Sequence, residues 1–501
     1  MFLQRLNIRL VLALIVMFLN GCICIDKNEN SYNTLFDKIW VFDEQDNPIC
    51  INPNEYLKYV SLCKYTPKIY THLNENGAFE VIDSQTRTKI YTTEIGECIT
   101  LVGYDDENHY FISNAESNFY RLEKYNKRIN KFKTIIEGNA DLFNVLFDKS
   151  NNTANMAIAE FNNGKKIYFN EEFLIAEKFI EKNFNPNQII WSCKSKKTNK
   201  WIIRLLFQNR PELNIIFDFN SKKITKLENE STKWKISSIR KEIYFYSRDG
   251  VKINVILTYP KEKITISELP TIIFPHGGPS AHDNLNFDYR ADILAKAGFL
   301  VVQPNYRGSN GFGKEFRFAG FGTDGIKKAQ QDIEDCVKFL IKNKISNKDN
   351  IAILGGSWGG FCAAYALAFT PEIYKAGVLL FGCYDLVDML KTQPEKSGAN
   401  KGLDKLQYGD ISKEDFALYN ISPISKVKNI SAPILMFHFF DDKVIEFAQS
   451  KKFYNELKQY NKRVQFISDN GEHGFENYQA EENQYRIIIQ FLQETMKIKS
   501  K

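Results

Sequence analysis

The chain reads as two architectures in series: an all-β, propeller-like N-terminal half, then an α/β half built on a doubly wound, mostly parallel sheet. Two observations predict this. From about residue 30 to 240, short strands follow one another through Asx-rich turns at intervals of roughly ten residues, the signature of an all-β assembly. From about 241 to 501, apolar runs of strand length alternate with amphipathic helical patterns, which demands a layered sheet with helices on its faces. The length of 501 residues fits such a division, because a single core stops growing near about 250–300 residues.

In the N-terminal half the strands read as Thr100 to Tyr104, Tyr110 to Ile112, Asn118 to Leu122 and Phe132 to Ile136. A second set runs Lys200 to Leu206, Leu213 to Asp218 and Ser221 to Thr225. Each set ends in a lysine-rich turn, as in a propeller blade of about 40 residues. The region has room for about five such blades, and a β-sandwich is the alternative. The stretch Phe173 to Phe184 reads equally as helix.

In the C-terminal half the strand-like runs are Thr271 to Phe274, Phe299 to Val302, Ile351 to Leu354, Gly377 to Phe381, Ile434 to Phe437 and Val464 to Ile467. The clearest helix places Ile326, Ala329, Ile333, Cys336, Val337, Leu340 and Ile341 on one face. Others cover Phe287 to Ala297, Phe447 to Tyr460 and Tyr485 to Met496. Reactive loops of such a sheet sit at the carboxyl ends of its strands.

One of those loops is Gly355-Gly356-Ser357-Trp358-Gly359-Gly360, between the run ending at Leu354 and a helix-like run from Phe361 to Phe369. Strand, Gly-x-Ser-x-Gly, helix is the nucleophile elbow of an α/β-hydrolase. A serine turned sharply off a strand has a strained backbone, and glycines on either side remove the clashes of the crossing strand and helix. Ser357 then needs a base. In this fold the order along the chain is nucleophile, acid, histidine, so of the six histidines only His438 and His473 qualify. His438 ends the strand that should carry the acid. His473 sits in a glycine-flanked loop after the last strand run, where a core histidine would be out of place. The acid falls in Asp441-Asp442-Lys443-Val444; such a carboxylate fixes the tautomer of the base and stabilises the imidazolium. Amide donors for a developing oxyanion are expected from Trp358, next to the serine, and from Pro275-His276-Gly277-Gly278-Pro279, with Gly278 preferred over Gly277.

From Ile243 to Leu492 the chain resembles the prolyl oligopeptidase family of serine peptidases, nearest its acylaminoacyl-peptidase and dipeptidyl-peptidase-like bacterial members. The resemblance rests on Ser247-Arg248-Asp249-Gly250, His276-Gly277-Gly278-Pro279, Asn305-Tyr306-Arg307-Gly308-Ser309 with Gly311-Phe312-Gly313, the serine motif, Ser422-Pro423-Ile424, Asp441-Asp442-Lys443-Val444 and Glu472-His473-Gly474-Phe475. It implies a hydrolase capped by an N-terminal β-propeller that limits access to short peptides, and a structural role for the loop Asn305 to Lys314 beside the site. It also guides the choice of Asp441 over Asp442 as the acid. Two departures stand out. The family's His-Gly before the acid falls on Phe437 and His438, and its proline after the acid-loop valine falls on Ile445. A paired-glutamate motif for holding a substrate amine is not evident, so exopeptidase preference does not carry over.

The expected function is thus a serine peptidase acting on short peptides through an acyl-enzyme, with Ser357, Asp441 and His473 catalytic and Gly278 and Trp358 as oxyanion donors. A carboxylesterase on the same three residues, or an inert surface binding protein, are the alternatives. No cofactor is expected. No metal site is expected either, since no CxxC or His/Cys cluster has metal-ligand spacing. The net charge of +6 is spread along the chain, unlike the clustered footprint of a nucleic-acid partner.

The first residues read as a signal peptide over 1–21. Arg5 and Arg9 precede the apolar run Leu10 to Leu19, too short to span a bilayer, and Leu19-Asn20-Gly21-Cys22 follows. Gly21-Cys22 has the form of a bacterial lipoprotein cleavage site, although Asn20 is unusual there. Lipidation of Cys22 would make this an exported, membrane-anchored chain, periplasmic or at the cell surface. An ordinary cleaved signal or an uncleaved anchor is the alternative. Of nine cysteines, Cys336, Cys362 and Cys383 read as core residues, while Cys50, Cys63, Cys98 and Cys193 are free to pair in an oxidising compartment.

Overall fold

Short polar turns set the architecture of the N-terminal half. The Asp105 carboxylate accepts the N–H groups of Glu107 and Asn108, Asp83 those of Gln85 and Thr86, and Asp218 those of Asn220 and Ser221. Each side chain imitates a backbone turn and reverses the chain between two strands. A computed structural model describes residues 39–42, 47–51 and 69–498, apart from 75, 151–152, 163, 196, 228–236, 263–264, 393–397, 461–462 and 476–477. The signal segment and Cys22 lie outside the described residues.

The described N-terminal strands form five antiparallel sheets in chain order, of two, three, four, three and four strands. The third comprises Ile99–Tyr104, Asn108–Ser113, Arg121–Asn126 and Lys131–Ile136; the fifth comprises Gln188–Lys194, Lys200–Leu206, Leu213–Asp218 and Lys223–Leu227. Strands adjacent in sequence are adjacent in each sheet, as in propeller blades. The expected strand Asn118 to Leu122 starts instead at Arg121. Asn118 is used elsewhere: its carbonyl and side chain accept the N–H groups of Lys314 and Glu315. The ambiguous stretch is helix Glu171–Phe184, capped by Asn170, with Phe173, Ala176 and Ile180 buried at helical spacing. Phe173 meets Trp191 edge-on at 4.7 Å, which fastens the helix to the fifth sheet.

The C-terminal half is one eight-stranded sheet. Its strands in chain order are β1 (Ser238–Tyr246), β2 (Lys252–Pro260), β3 (Thr271–Ile273), β4 (Leu300–Asn305), β5 (Ile351–Gly356), β6 (Ala376–Leu380), β7 (Ile434–Phe439) and β8 (Val464–Asp469). The spatial order is β1-β2-β4-β3-β5-β6-β7-β8. β2 pairs antiparallel with both neighbours, and all pairs from β4 to β8 are parallel. The parallel strands β3 to β7 are buried on both faces, which is why they read as apolar runs rather than alternations, while β8 lies at the sheet's edge and is partly exposed. Alternate residues still choose sides. Ile273, Val302, Ile353 and Met436 pack with helices Gly322–Lys342 and Trp358–Phe369. Ile272, Val301, Leu354 and Leu435 pack with Tyr289–Lys296 and Tyr478–Thr495. The thiols of Cys336, Cys362 and Cys383 are buried in the first of these cores, and burial pushes that of Cys362 up to about 12.

Candidate active site

Five loops at the carboxyl ends of β3, β5, β6, β7 and β8 supply the site. After β5 the chain turns at Ser357, whose φ of 56° and ψ of −123° are strained for a residue with a side chain. Its N–H is held by the Leu380 carbonyl at 2.9 Å, at the end of β6. A side chain on Gly355 would collide with the carbonyl of Gly359, and one on Gly359 with that of Pro275. The motif's two glycines are therefore forced by backbone packing. Trp358 opens the helix, so its N–H is one of the four that no intrahelical carbonyl can satisfy. Its indole is buried against Phe361, with ring centroids 4.4 Å apart.

After β8, the His473 imidazole is buried. Its Nδ1 lies 2.7 Å from Asp442 Oδ2, and its Nε2 is buried without a hydrogen-bond partner. The Phe381 ring meets the imidazole edge-on at 5.0 Å. Ser357 and His473 line one cavity of about 1180 Å³. The carboxylate behind His473 is Asp442, and this corrects the expectation of Asp441. The Asp441 side chain is exposed, while the Asp442 carboxylate is buried and fully engaged. Its Oδ1 accepts the N–H groups of Val444 and Ile445 at 2.8 and 2.9 Å. Its Oδ2 takes His473 and, at 3.2 Å, Nε2 of His438. The physical reason is directional: the N–H groups that cap the turn point at the second aspartate, whose side chain faces into the sheet. Burial would raise the Asp442 carboxyl, but the hydrogen bonds from His438 and His473 hold it well below the usual carboxylate range.

His438, set aside as a base, is a wholly buried brace. Its Nε2 lies 2.9 Å from the Ile445 carbonyl, and its Nδ1 lies 2.6 Å from Ser450 Oγ. The carbonyl can only accept, so Nε2 carries the hydrogen and the serine hydroxyl donates to Nδ1.

Gly277, after β3, comes against the elbow: a Cβ on it would lie 3.3 Å from the Gly356 carbonyl oxygen and 3.5 Å from Ser357 Cβ. Gly278 has a φ of 121°, and its N–H belongs to the peptide that follows Gly277. Groups missed in the sequence also reach the cavity. Arg240 on β1 bonds Thr258 Oγ1, the Asn284 carbonyl and Gln303. Asp283 receives the Gln303 amide on one oxygen, and its other oxygen is buried without a partner. Burial and neighbouring Asp288 push its carboxyl up to about 7. Glu160 reaches the cavity from the N-terminal half, and burial pushes it also up to about 7. Nothing in the local sequence marks these residues, since they come from separate strands and meet only in the fold. Among the described residues no group of three or more His, Cys, Asp or Glu side chains is placed to hold a metal ion.

A serine hydroxyl and an imidazole on one cavity, with a buried carboxylate behind the imidazole, can support proton transfer and covalent attack. Similarity to known proteins points the same way. Residues 285–499 match the prolyl oligopeptidase family. The chain is 28% identical over 391 residues to dipeptidyl peptidase family member 6 of Caenorhabditis elegans, covering 71% of this chain and 52% of that protein. It is 25% identical over 419 residues to dipeptidyl aminopeptidase BIII of Pseudoxanthomonas mexicana, covering 80% and 59%. The chain thus spans a little over half the length of these curated relatives. In three dimensions it is similar to the acylaminoacyl peptidase of Pyrococcus horikoshii, with a TM-score of 0.64 at 18% identity over 85% of this chain and 67% of that one. The match makes residues 285–499, the part of the chain that holds Ser357 and His473, similar to the prolyl oligopeptidase family, on a sheet of eight strands with the serine at its elbow.

Proposed function

We propose that this protein is a serine peptidase that hydrolyses short peptides through an acyl-enzyme on Ser357, with His473 as base and Asp442 as its partner. The observation that carries the reading is the His473 imidazole. One nitrogen is tied to a buried carboxylate at 2.7 Å, and the other is left unpartnered beside the cavity that Ser357 lines. In the reaction His473 Nε2 takes the hydroxyl proton as Ser357 Oγ attacks the substrate carbonyl. The imidazolium then protonates the leaving amine, and water releases the acyl group by the same route. The amides of Trp358 and Gly278 hold the oxyanion. Support for Gly278 is its place directly after Gly277, the residue in contact with the elbow. Peptides are favoured over simple esters by the polar groups that stand in the cavity wall, Asp283 with one carboxyl oxygen unpartnered among them.

Ser357→Ala should lower turnover by roughly three or more orders of magnitude while leaving the melting temperature within a few degrees of wild type. Comparing hydrolysis of acyl-aminoacyl anilides, dipeptidyl anilides and aryl esters separates peptidase from esterase. Wild-type turnover in the alanine variant would end the assignment.

We also propose that the chain is exported and held at a bacterial membrane by lipid on Cys22. Support comes from Arg5, Arg9 and the short apolar run before Gly21-Cys22, and from Cys98, which is disulfide-bonded as in an oxidising compartment. Among the described residues no helix is long and apolar enough to cross a membrane. A tagged fatty acid should label the wild-type chain and not Cys22→Ala; equal labelling would refute the anchor.

A further inference from the structure

Two carboxyls in the cavity wall share one donor. Gln303 Nε2 lies 2.9 Å from Asp283 Oδ1 and 2.8 Å from Asp288 Oδ2. Arg240 Nη2, 3.2 Å from Gln303 Oε1, can only donate, so it fixes the amide with its nitrogen toward the two acids. Two like charges crowded on one amide disfavour each other, and one of the pair keeps a proton. The remaining hydrogen bonds select which. Asp288 Oδ1 accepts the N–H groups of Arg290 and Ala291 at the start of helix Tyr289–Lys296, a place that favours a charged carboxylate. Asp283 has no donor on its second oxygen. Asp288 therefore carries the charge and Asp283 the proton.

The charged groups around the pair agree. Burial would raise the Asp288 carboxyl, but Arg240 on β1 and Arg290 hold it below its usual range, and Arg290 is also paired with Glu481 of helix Tyr478–Thr495 at 2.5 Å. Burial and Asp288 push Asp283 the other way, up to about 7, with Arg240 and Arg290 opposing them. Neighbouring His282 adds no charge, because burial pushes its imidazole down. Since Oδ1 accepts from Gln303, the Asp283 hydrogen sits on Oδ2. That oxygen is closed off from water in the cavity wall and has no partner, as His473 Nε2 has none. Leaving a buried donor unmet is unfavourable, and an acceptor brought by the substrate removes that penalty. The aim of the group is fixed. The Asp283 N–H and carbonyl are both clamped by the buried Asn305 side chain, at 2.7 and 2.8 Å.

We propose that Asp283 is a substrate-binding residue: its acid form donates from Oδ2 to a backbone carbonyl of the bound peptide. This rests on the serine-peptidase reading above and adds a group that meets the substrate. The sign with pH follows. Below about 7 the donor is present; above it a carboxylate faces the carbonyl and repels it, so KM rises with pH. An aspartate that bound a substrate cation would do the reverse. The protonation of the base His473 acts on kcat, so KM reads Asp283.

The test measures KM at pH 6 and pH 8.5 for wild type, Asp283→Asn and Asp283→Leu, with folding checked by circular dichroism. The substrate is an N-acylated peptide anilide with uncharged side chains, so nothing on it ionises in that range. Wild-type KM should rise roughly tenfold. Asp283→Asn carries a permanent N–H in place of the O–H and should hold KM within about twofold across the range. Asp283→Leu has no donor, and its KM should be raised roughly tenfold over that of wild type at pH 6, at both values. The same rise in Asp283→Asn as in wild type would place the titrating group elsewhere, at Glu160 for instance, and overturn the inference. So would a wild-type KM that is flat or falls as pH rises. Both results leave the peptidase reading intact. A wild-type protein that hydrolyses neither anilides nor esters would instead remove that reading, and this inference with it.

Discussion

Two imidazoles and two backbone amides converge on the Asp442 carboxylate, and each donor favours its charged form. Because its carboxyl is held low in the folded chain, it contributes stability above the unfolded value near about 3.9, lost as pH falls through the folded value. Glu160 behaves oppositely. Its carboxyl is raised from 4.5 to about 7, so its protonated form favours folding and that contribution fades as pH rises across this interval. At about 1.4 kcal/mol per pH unit the loss is at most about 3.5 kcal/mol. Glu160→Gln should therefore match wild type near pH 4 and exceed it in denaturant midpoint at pH 8, with Lys166 still paired to Glu177 at 2.7 Å. A wild-type midpoint at pH 8 would show that Glu160 ionises without cost. At this scale the sequence was legible where chemistry demands a residue type and illegible where it demands a direction. Chain order leaves only His438 and His473 as bases for Ser357, and the place of His438 on the strand that carries the acid leaves His473. Asp441 and Asp442 differ only in which way they face. The one-residue error had a visible cost: moving the acid to Asp442 brings the family's expected histidine from Phe437 onto His438, the very residue that braces the acid. The glycine of that pair then falls on Phe439, so half of the departure stays.

Elements show why some segments were readable and others not. The strands β3 to β7 are mostly apolar because both faces are covered, and each was found as a run; the edge strand β8 was found from Val464 to Ile467 although it is partly exposed. The edge strand β1 was missed because it mixes charged and apolar residues: Ser238–Tyr246 alternates exposed and buried positions at the sheet's edge. The loop after β4 behaves as an element in its own right, built around a buried cation. Arg307 is 3% exposed and bonds Asp332 and Asp249. Burial would raise the Asp332 carboxyl despite that pairing, so removing the guanidinium strands a buried charge. Arg307→Met should cost about 3–5 kcal/mol in chemical denaturation, and Asp249→Asn, at the more exposed end, much less. Equal costs for the two would contradict a loop organised around the buried pair.

On the scale of the whole molecule, the sheets of the N-terminal half and the hydrolase sheet meet across the loop that follows β4. Lys314 forms an ion pair with Glu97 at 2.5 Å, the Gly311 carbonyl accepts from Asn162, and Gly313 N–H reaches Asp141 at 3.3 Å. The cavity is walled by both halves, with Arg204 and Glu212 on one side and Ser357 and His473 on the other. A site walled in this way should favour short peptides. In a peptide-library digest read by mass spectrometry, cleavage should fall steeply with length, and a folded protein carrying the same cleavable sequence should survive. The β-rich half was legible as a class from its turns, but the pairing of its walls with the hydrolase was not, because contacts between Glu97 and Lys314 leave no trace in local periodicity. All of this depends on the convergence of Ser357, His473 and Asp442. Its most direct test is kcat on one peptide anilide for Asp442→Asn beside Asp441→Asn. The account predicts a loss of roughly a thousandfold or more for the first and less than about threefold for the second; the reverse order, or equal losses, would contradict it.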